Sequence, residues 1–276
     1  MGILDVLTRL VHDLGYQGDV PGFVLLFGLA LARIVTALSM SPFLGGRSTP
    51  STVKVGLGVV IVALLYPGIA APAAATAINP MLAVALLVKE VLIGATIGLL
   101  SQLVFYAVQM AGVLIDTQRG MDQPAFISAQ LSSNTSVLGN FQFQAALVLF
   151  LILDGHLLFL KALHASYVQL PLVGFPHFRA GIPALVDAMA RVSAGMLVIA
   201  VQMSAPVLVA LFIVDVCFGA IGKVASRVNV YLESQPVKSM VGLALVFLIV
   251  GFLLEGMRNH LAAMIRQIYE FLNIAA

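Results

Sequence analysis

The most constraining feature of this sequence is a pair of long segments without a single charged side chain. Residues 91–115 and 192–214 contain no Asp, Glu, Lys or Arg. Each segment exceeds the roughly 20 apolar residues that an α-helix needs to cross a hydrocarbon core about 30 Å thick. The whole chain is 61% hydrophobic and 9% charged, whereas an ordinary soluble domain is about 25% charged. The sequence therefore predicts an integral membrane protein.

Pro, Gly and charged residues divide the chain into about six long apolar segments. Three of them are longer than a simple span requires, so we expect their helices to tilt, to break or to project beyond the bilayer. The predicted fold is an all-α membrane protein of about six long apolar helices that form tilted or broken helical hairpins. The segments are 22–43, 54–71, 81–115, 137–170, 188–221 and 238–257.

We expect one membrane-embedded domain over residues 1–276. Charges of both signs are spread through residues 1–20, which does not fit the layout of a cleavable signal peptide, so this stretch is predicted to be a short amphipathic helix. The net charge of +2, with no stripe of Lys or Arg, argues against a nucleic acid partner. The single cysteine, Cys217, leaves no possibility of an intrachain disulfide.

Several ionisable residues lie inside apolar segments, where each of them is costly. A charge at the centre of a membrane helix costs roughly 2.5 to 3.5 kcal/mol on insertion scales, so these groups are expected to face protein, water or one another. For Asp154 and Lys161, which lie seven residues apart on one helix face with His164 one turn beyond, structural pairing and a proton relay are the two alternatives. The residues predicted to be buried polar groups are Arg33, Lys89, Glu90, Asp154, His156 and Lys161.

Gly94 and Gly98 lie one helical turn apart in the string VLIGATIGLL. This small-xxx-small pattern lets two helix backbones approach closely in lipid, so we predict that both glycines pack against another helix. Glycine is also common in membrane helices without such a role, which is the alternative.

The sequence contains no nucleophile elbow, phosphate-binding glycine loop, HExxH helix or pair of intramembrane aspartates. No catalytic residue, cofactor or metal is therefore predicted. A membrane enzyme would need a paired acid and base or a metal cluster. A small-solute or ion transporter is the other alternative, with Lys89 and Glu90 lining its path, but it predicts paired repeats that the two halves do not show.

Five strings, spread between residues 31 and 243, carry a family resemblance that extends over nearly the whole chain. They are LARIVTALSMSPFLGGRSTPSTVKVGLG, KEVLIGATIG, AGVLIDTQRG, LFLILDGHLLFLKALHASYVQLPL and GAIGKVASRVNVYLESQPVKSMVGL. These strings resemble the FliR/SctT family, the export-gate subunits of the flagellar and injectisome type III secretion apparatus. IDTQRG is similar to injectisome members, whereas DGH followed by LPL is similar to flagellar members, so the choice between the two systems stays open.

The resemblance implies a non-enzymatic subunit that helps to form a closed pore through which unfolded proteins cross the bacterial inner membrane. It implies a multi-pass protein at the base of a flagellum or an injectisome. The implied partners are FliP/SctR-like, FliQ/SctS-like and FlhB/SctU-like subunits, the exported unfolded proteins and membrane lipid.

Residues 116–136 form the longest polar stretch of the chain, DTQRGMDQPAFISAQLSSNTS. Irregular polar backbone at membrane depth is tolerated only against protein or a water-filled cavity, so we expect this loop to fold inward. An ordinary surface loop is the alternative, and the family resemblance implies instead that the region lies at the pore constriction. The residues predicted to form this plug are Asp116, Gln118, Arg119, Gly120, Met121 and Phe126.

Overall fold

A computed structural model describes residues 20–44, 49–69, 79–120, 136–176, 181–224 and 230–276. Within these residues the chain forms α-helices and no strand, which confirms the all-α fold. The predicted amphipathic helix of residues 1–20 lies outside the described residues except for Val20. The helices are α1 (Val20–Met40), α2 (Ser51–Ile69), α3 (Pro80–Gln118), α4 (Val137–Ile152), α5 (Gly155–Gln169), α6 (Gly181–Val224), α7 (Val230–Leu248) and α8 (Val250–Ala275).

Three described helices, α1, α3 and α6, are long and apolar enough to cross a membrane. The pairs α4 with α5 and α7 with α8 raise this number to as many as 5 if each bent pair forms one span. The 39 residues of α3, at about 1.5 Å per residue, extend about 58 Å. Since a hydrocarbon core is about 30 Å thick, α3 must tilt strongly or extend beyond the bilayer.

Two of the predicted apolar segments are broken helices. The segment predicted at 137–170 breaks at Leu153 and Asp154, where Asp154 has a left-handed backbone with φ 55°. Aspartate tolerates this conformation better than most residues, and its left-handed turn ends α4 before α5 begins. The α7–α8 pair breaks at Ile249 with a bend of 63°. Broken helices were part of the predicted fold, and the structure confirms them.

The chain divides into two compact units. The first unit contains residues 1–102, 154–190 and 264–276, and the second contains residues 103–153 and 191–263. Helix α3 contributes to both units. The prediction that residues 1–276 act as a single membrane-embedded domain stays a prediction.

In the first unit, α1 packs closely against α2 and α3. Phe23 of α1 meets Tyr66 of α2 edge to face, with ring centroids 5.1 Å apart. The core positions of α1 recur every three or four residues, as expected for a helix with one face buried. These buried residues are Leu26, Leu29, Ala30, Arg33, Ile34, Ala37 and Leu38.

Gly94 and Gly98 of α3 lie directly against α1. A Cβ atom at Gly94 would collide with the carbonyl oxygen of Arg33 and would lie 3.0 Å from its carbonyl carbon. At Gly98, a Cβ atom would lie 2.7 Å from the Cβ of Met40 and 2.8 Å from the carbonyl oxygen of Ala37. The lack of side chains at these two positions therefore sets the distance between α1 and α3.

In the second unit, the C-terminal half of α3 packs against α4 in a similar way. A Cβ atom at Gly112 would lie 2.6 Å from the Cα of Gly139, so the two backbones are nearly in contact. Phe105 of α3 meets Phe150 of α4 edge to face, with centroids 5.5 Å apart. This close crossing brings the end of α3 next to the start of α4.

Replacing Gly94 by Ala is expected to destabilise the protein, because the added methyl group would overlap backbone that cannot rotate away. Overpacking of this kind typically costs about 1 to 3 kcal/mol. The matched control is Gly28→Ala on α1, where an added Cβ would meet nothing within 4 Å. At such an open helical position, Ala is more favourable than Gly by roughly 0.5–1 kcal/mol. The thermal midpoint of the detergent-purified protein should fall for Gly94→Ala and not for Gly28→Ala. Equal midpoints for the two variants would contradict the close crossing.

Candidate functional site

The candidate site lies in the second unit, at the junction between the end of α3 and the start of α4. Helix α3 continues through Gln118, so Asp116 and Gln118 lie in its last turn rather than in a loop. Arg119 and Gly120 follow as a turn. Met121 and Phe126 lie outside the described residues, and their place in a plug stays a prediction.

The carboxylate of Asp116, which is 2% exposed, joins the two sides of this junction. Its Oδ1 accepts a hydrogen bond from Nη1 of Arg119 at 3.0 Å. Its Oδ2 accepts one from Oγ of Ser136 at 2.7 Å and one from the backbone N–H of Leu138 at 2.9 Å. One side chain therefore ties residues on both sides of segment 121–135.

The start of α4 explains why a carboxylate is favoured here. The first N–H groups of a helix have no partner within the helix, and the helix dipole places partial positive charge at this end. Ser136 is the N-cap residue, and its Oγ accepts a hydrogen bond from the N–H of Gly139 at 2.8 Å. Asp116 satisfies a further N–H at this helix start and adds the complementary negative charge.

Helix α7 packs against the residues that lead into segment 121–135. Arg119 is largely buried, and its Nη2 donates to Oγ of Ser239 at 3.3 Å. Gly242 makes room for Arg119, because a Cβ atom there would lie 2.6 Å from Cδ of the arginine. Gly120 has φ 75°, and a Cβ atom on it would overlap the side chain of Gln235. Glycine is required at position 120 both by the left-handed backbone and by this contact.

A second, more exposed contact also reaches the last turn of α3. Asp215 of α6 forms an ion pair with Lys238 of α7, and the Asp215 side chain is 33% exposed. Gln118 donates to Oδ2 of Asp215 over 3.4 Å, which is a long hydrogen bond. Helices α3, α6 and α7 therefore meet beside the junction, where the Lys238 side chain is 9% exposed.

The first unit holds a separate cluster of buried charges, formed by Arg33 of α1 and Glu90 of α3, both 0% exposed. Nε and Nη2 of Arg33 donate to the two carboxylate oxygens of Glu90, at 2.5 Å and 3.0 Å. The guanidinium also lies over the ring of Tyr167, 4.3 Å from its centroid. This bidentate geometry is the arrangement in which an arginine and a carboxylate interact most strongly.

Lys89, next to Glu90 in sequence, is 6% exposed and also contacts the carboxylate, with Nζ 2.7 Å from Oε1 of Glu90. Its remaining contacts are made with backbone carbonyl groups that follow α5. One cluster therefore contains Arg33, Lys89 and Glu90. The sequence indicated only that each of these residues is costly to place in an apolar segment.

The other residues predicted to be buried polar groups do not join this cluster. Asp154 and Lys161 are exposed in the chain, and Asp154 lies in the turn before α5 with no side-chain cap hydrogen bond among the described residues. His156 is half-buried, and its buried Nδ1 has no hydrogen-bond partner in the described part of the chain. Their burial within an assembled complex stays a prediction.

Four residues of the junction were not identified from the sequence, namely Ser136, Gln235, Ser239 and Gly242. Ser136 stands immediately before an apolar run, so its role as an N-cap could have been recognised. The three residues of α7 carry no such local signal. They are distant from Asp116 in sequence, and only the packing of α7 brings them to Arg119 and Gly120.

Residues 24–264 match the family model described as bacterial export proteins, family 1. The flagellar biosynthetic protein FliR of Pectobacterium carotovorum is 30% identical over 225 residues, 82% of this chain and 84% of that protein. FliR of Bacillus subtilis is 29% identical over 88% of this chain and 95% of its own length. The Yop proteins translocation protein T of Yersinia pestis is 31% identical over 55% of this chain and 58% of that protein.

Replacing Asp116 by Asn should destabilise the junction, because it leaves the buried Arg119 without its charged partner. Breaking a buried ion pair in this way typically costs about 3–5 kcal/mol. Glu255→Gln is the matched control, since it neutralises an exposed carboxylate of the same unit, where the change should cost within about 0.5 kcal/mol. The thermal midpoint should drop much further for Asp116→Asn than for Glu255→Gln. A similar small change in both variants would show that Asp116 does not hold the junction together.

Proposed function

The chain belongs to the bacterial export proteins of family 1, and from this membership we propose that the Asp116 junction carries the plug of a protein export gate. Its relatives are flagellar biosynthetic proteins and type III secretion components, so the chain is a subunit of the type III export gate. It is a multi-pass membrane protein and assembles with other components of the export apparatus.

We further propose that the subunit resides in the bacterial inner membrane, helps to form the pore for unfolded substrates and catalyses no reaction of its own. Its direct partners are the FliP/SctR-like and FliQ/SctS-like subunits, with an FlhB/SctU-like subunit as a further contact. The flagellar system is favoured over the injectisome, because the matches to flagellar FliR proteins extend over 82% and 88% of the chain, against 55% for the translocation protein.

The observation that carries the plug proposal is the hydrogen bonding of Asp116. A single buried carboxylate contacts Arg119 on one side of segment 121–135 and Ser136 and Leu138 on the other. This holds the residues that precede and follow segment 121–135 at one place, which provides a fixed base on either side of it. A closed loop on a rigid base can obstruct a pore and move aside without disturbing the helices that carry it.

The charges around the base support the same role. Asp116 and Arg119 are buried and paired, so they hold the loop without offering a free charge to a permeating ion. The apolar residues Met121 and Phe126 would then provide the seal, because hydrophobic constrictions close pores to water and small ions. In this proposal the base is structural and the loop itself is the gate.

The partner assignment predicts which proteins copurify with the chain. When the chain is extracted in mild detergent from cells that express the complete apparatus, the FliP-like and FliQ-like subunits should copurify with it in fixed ratio. Mass spectrometry of the intact complex would measure that ratio. Recovery of an oligomer of this chain alone would contradict the proposal and favour a self-contained transporter.

Deleting residues 121–126 should open the gate without preventing assembly, because the deletion removes Met121 and Phe126 and leaves Asp116 and Ser136 in place. The complex reconstituted in liposomes should then release a trapped small ion faster than the unmodified complex. Deleting the equally long stretch 72–77, between α2 and α3, serves as the control and should leave the liposomes tight. Normal amounts of assembled 121–126 deletion complex in tight liposomes would rule out the plug.

A further inference from the structure

The chain segment that follows α5 has an unusual hydrogen-bonding arrangement. Residues 170–176, LPLVGFP, form no helix or strand and contain two prolines and a glycine. Such a segment cannot satisfy its own carbonyl groups through regular secondary structure. Most of these carbonyls instead point at two cationic side chains of the first unit, Arg33 and Lys89.

Lys89 lies at the centre of this arrangement. Its Nζ donates to the backbone carbonyls of Pro171, Leu172 and Gly174 at 2.8, 3.0 and 2.8 Å. The carboxylate oxygen Oε1 of Glu90 lies 2.7 Å away as a fourth oxygen. An ammonium group has three donors and no acceptor, so four oxygens around it leave no donor unused. Rings of backbone carbonyls of this kind also replace the hydration shell of monovalent ions.

Arg33 lies on the buried side of the same group of backbone carbonyls. Its Nη1 donates to the carbonyl and the Oγ of Ser166, and its Nη2 donates to the carbonyl of Leu170. With its two contacts to Glu90, all five N–H donors of the guanidinium are used. Arg33 is completely buried, so this side of the cluster is sealed from solvent.

The charges of the cluster do not balance by side chains alone, since two cations share the single carboxylate of Glu90. The remaining negative potential comes from carbonyl groups at and beyond the C-terminus of α5, the negative end of the helix dipole. A position surrounded by several carbonyl oxygens and one carboxylate favours a compact monovalent cation.

We propose that Glu90 and the carbonyls of Pro171, Leu172 and Gly174 form a monovalent-cation site whose native occupant is the tethered ammonium of Lys89. The class of ligand that fits is a small cation such as ammonium, methylammonium or ethylammonium, able to donate hydrogen bonds. The site fixes residues 170–174 onto α3. It is independent of the plug and of the export function.

The exposure of the surrounding residues leaves one side of the site open at the surface of the chain. Lys89 retains 6% exposure, Pro171 is exposed and Gly174 is half-exposed. The Lys89 side chain therefore enters the site from the accessible side. Arg33 lies on the buried side, with none of its surface exposed. Shortening Lys89 would leave a cation-sized space that opens toward solvent.

The test is chemical rescue of Lys89→Ala in the complete, detergent-purified complex. Its thermal midpoint should be lower than that of the unmodified complex in sodium chloride and should rise saturably with ethylammonium or methylammonium chloride at constant ionic strength. Tetramethylammonium, which is larger and has no N–H donor, should give no saturable rise. Lys54→Ala removes a lysine of the same unit that lies outside the site, and its thermal midpoint should respond equally little to every cation.

Recovery of folded complex provides a second readout if Lys89→Ala is too unstable to purify in sodium chloride. In that case solubilisation in ethylammonium chloride should restore the yield, and solubilisation in tetramethylammonium chloride should not. The proposal is overturned if ethylammonium and tetramethylammonium act alike in either readout, or if ethylammonium stabilises Lys54→Ala as much as Lys89→Ala. Failure of the plug experiments would leave this result unaffected, because they probe the other unit.

Discussion

The first unit depends on a guanidinium group with no exposed surface inside a helix of membrane-spanning length. Arg33 cannot stay there unless all of its donors are paired, because an unpaired charge at this depth costs several kcal/mol. Its partners come from two other helices, with Glu90 on α3 and Ser166 on α5. Pairing Arg33 thus fixes α1, α3 and α5 together, and Gly94 allows α3 to come close enough for the contact.

Both charged clusters provide partners for backbone groups at the end of a helix, and the two clusters do so with charges of opposite sign. The end of a helix leaves backbone groups without partners inside that helix, and in a membrane protein such groups need partners supplied by the protein itself wherever water does not reach them. At the C-terminus of α5 the exposed groups are carbonyls, and the cations Arg33 and Lys89 satisfy them. At the N-terminus of α4 the exposed groups are N–H donors, and the carboxylate of Asp116 satisfies one of them. The sign of each charge matches the end of the helix that it meets.

Helix α3 supplies charged residues to both clusters, although its apolar length is typical of a simple span. Lys89 and Glu90 lie near its start, and Asp116 lies in its last turn. The stretch between them is uncharged and packs through Gly98 and Gly112 against neighbouring backbone. Helix α3 therefore provides charged groups that bind backbone at two places, the carbonyls of residues 171–174 and the first N–H groups of α4.

The sequence by itself determined the all-α membrane fold and the membership of the export-protein family, whereas it gave helix breaks only as one of three ways to accommodate the overlong segments. These properties follow from local composition, apolar length and short strings of residues. The sequence also identified Arg33, Lys89 and Glu90 as costly residues that require partners.

Only the tertiary structure decided which partners they have, because Arg33 and Ser166 are 133 residues apart and meet through the packing of separate helices. Likewise, Ser239 and Gly242 carry no local sign of contact with Arg119. Hydrophobic length is a property of one segment, whereas the pairing of a buried charge depends on how several segments pack around it.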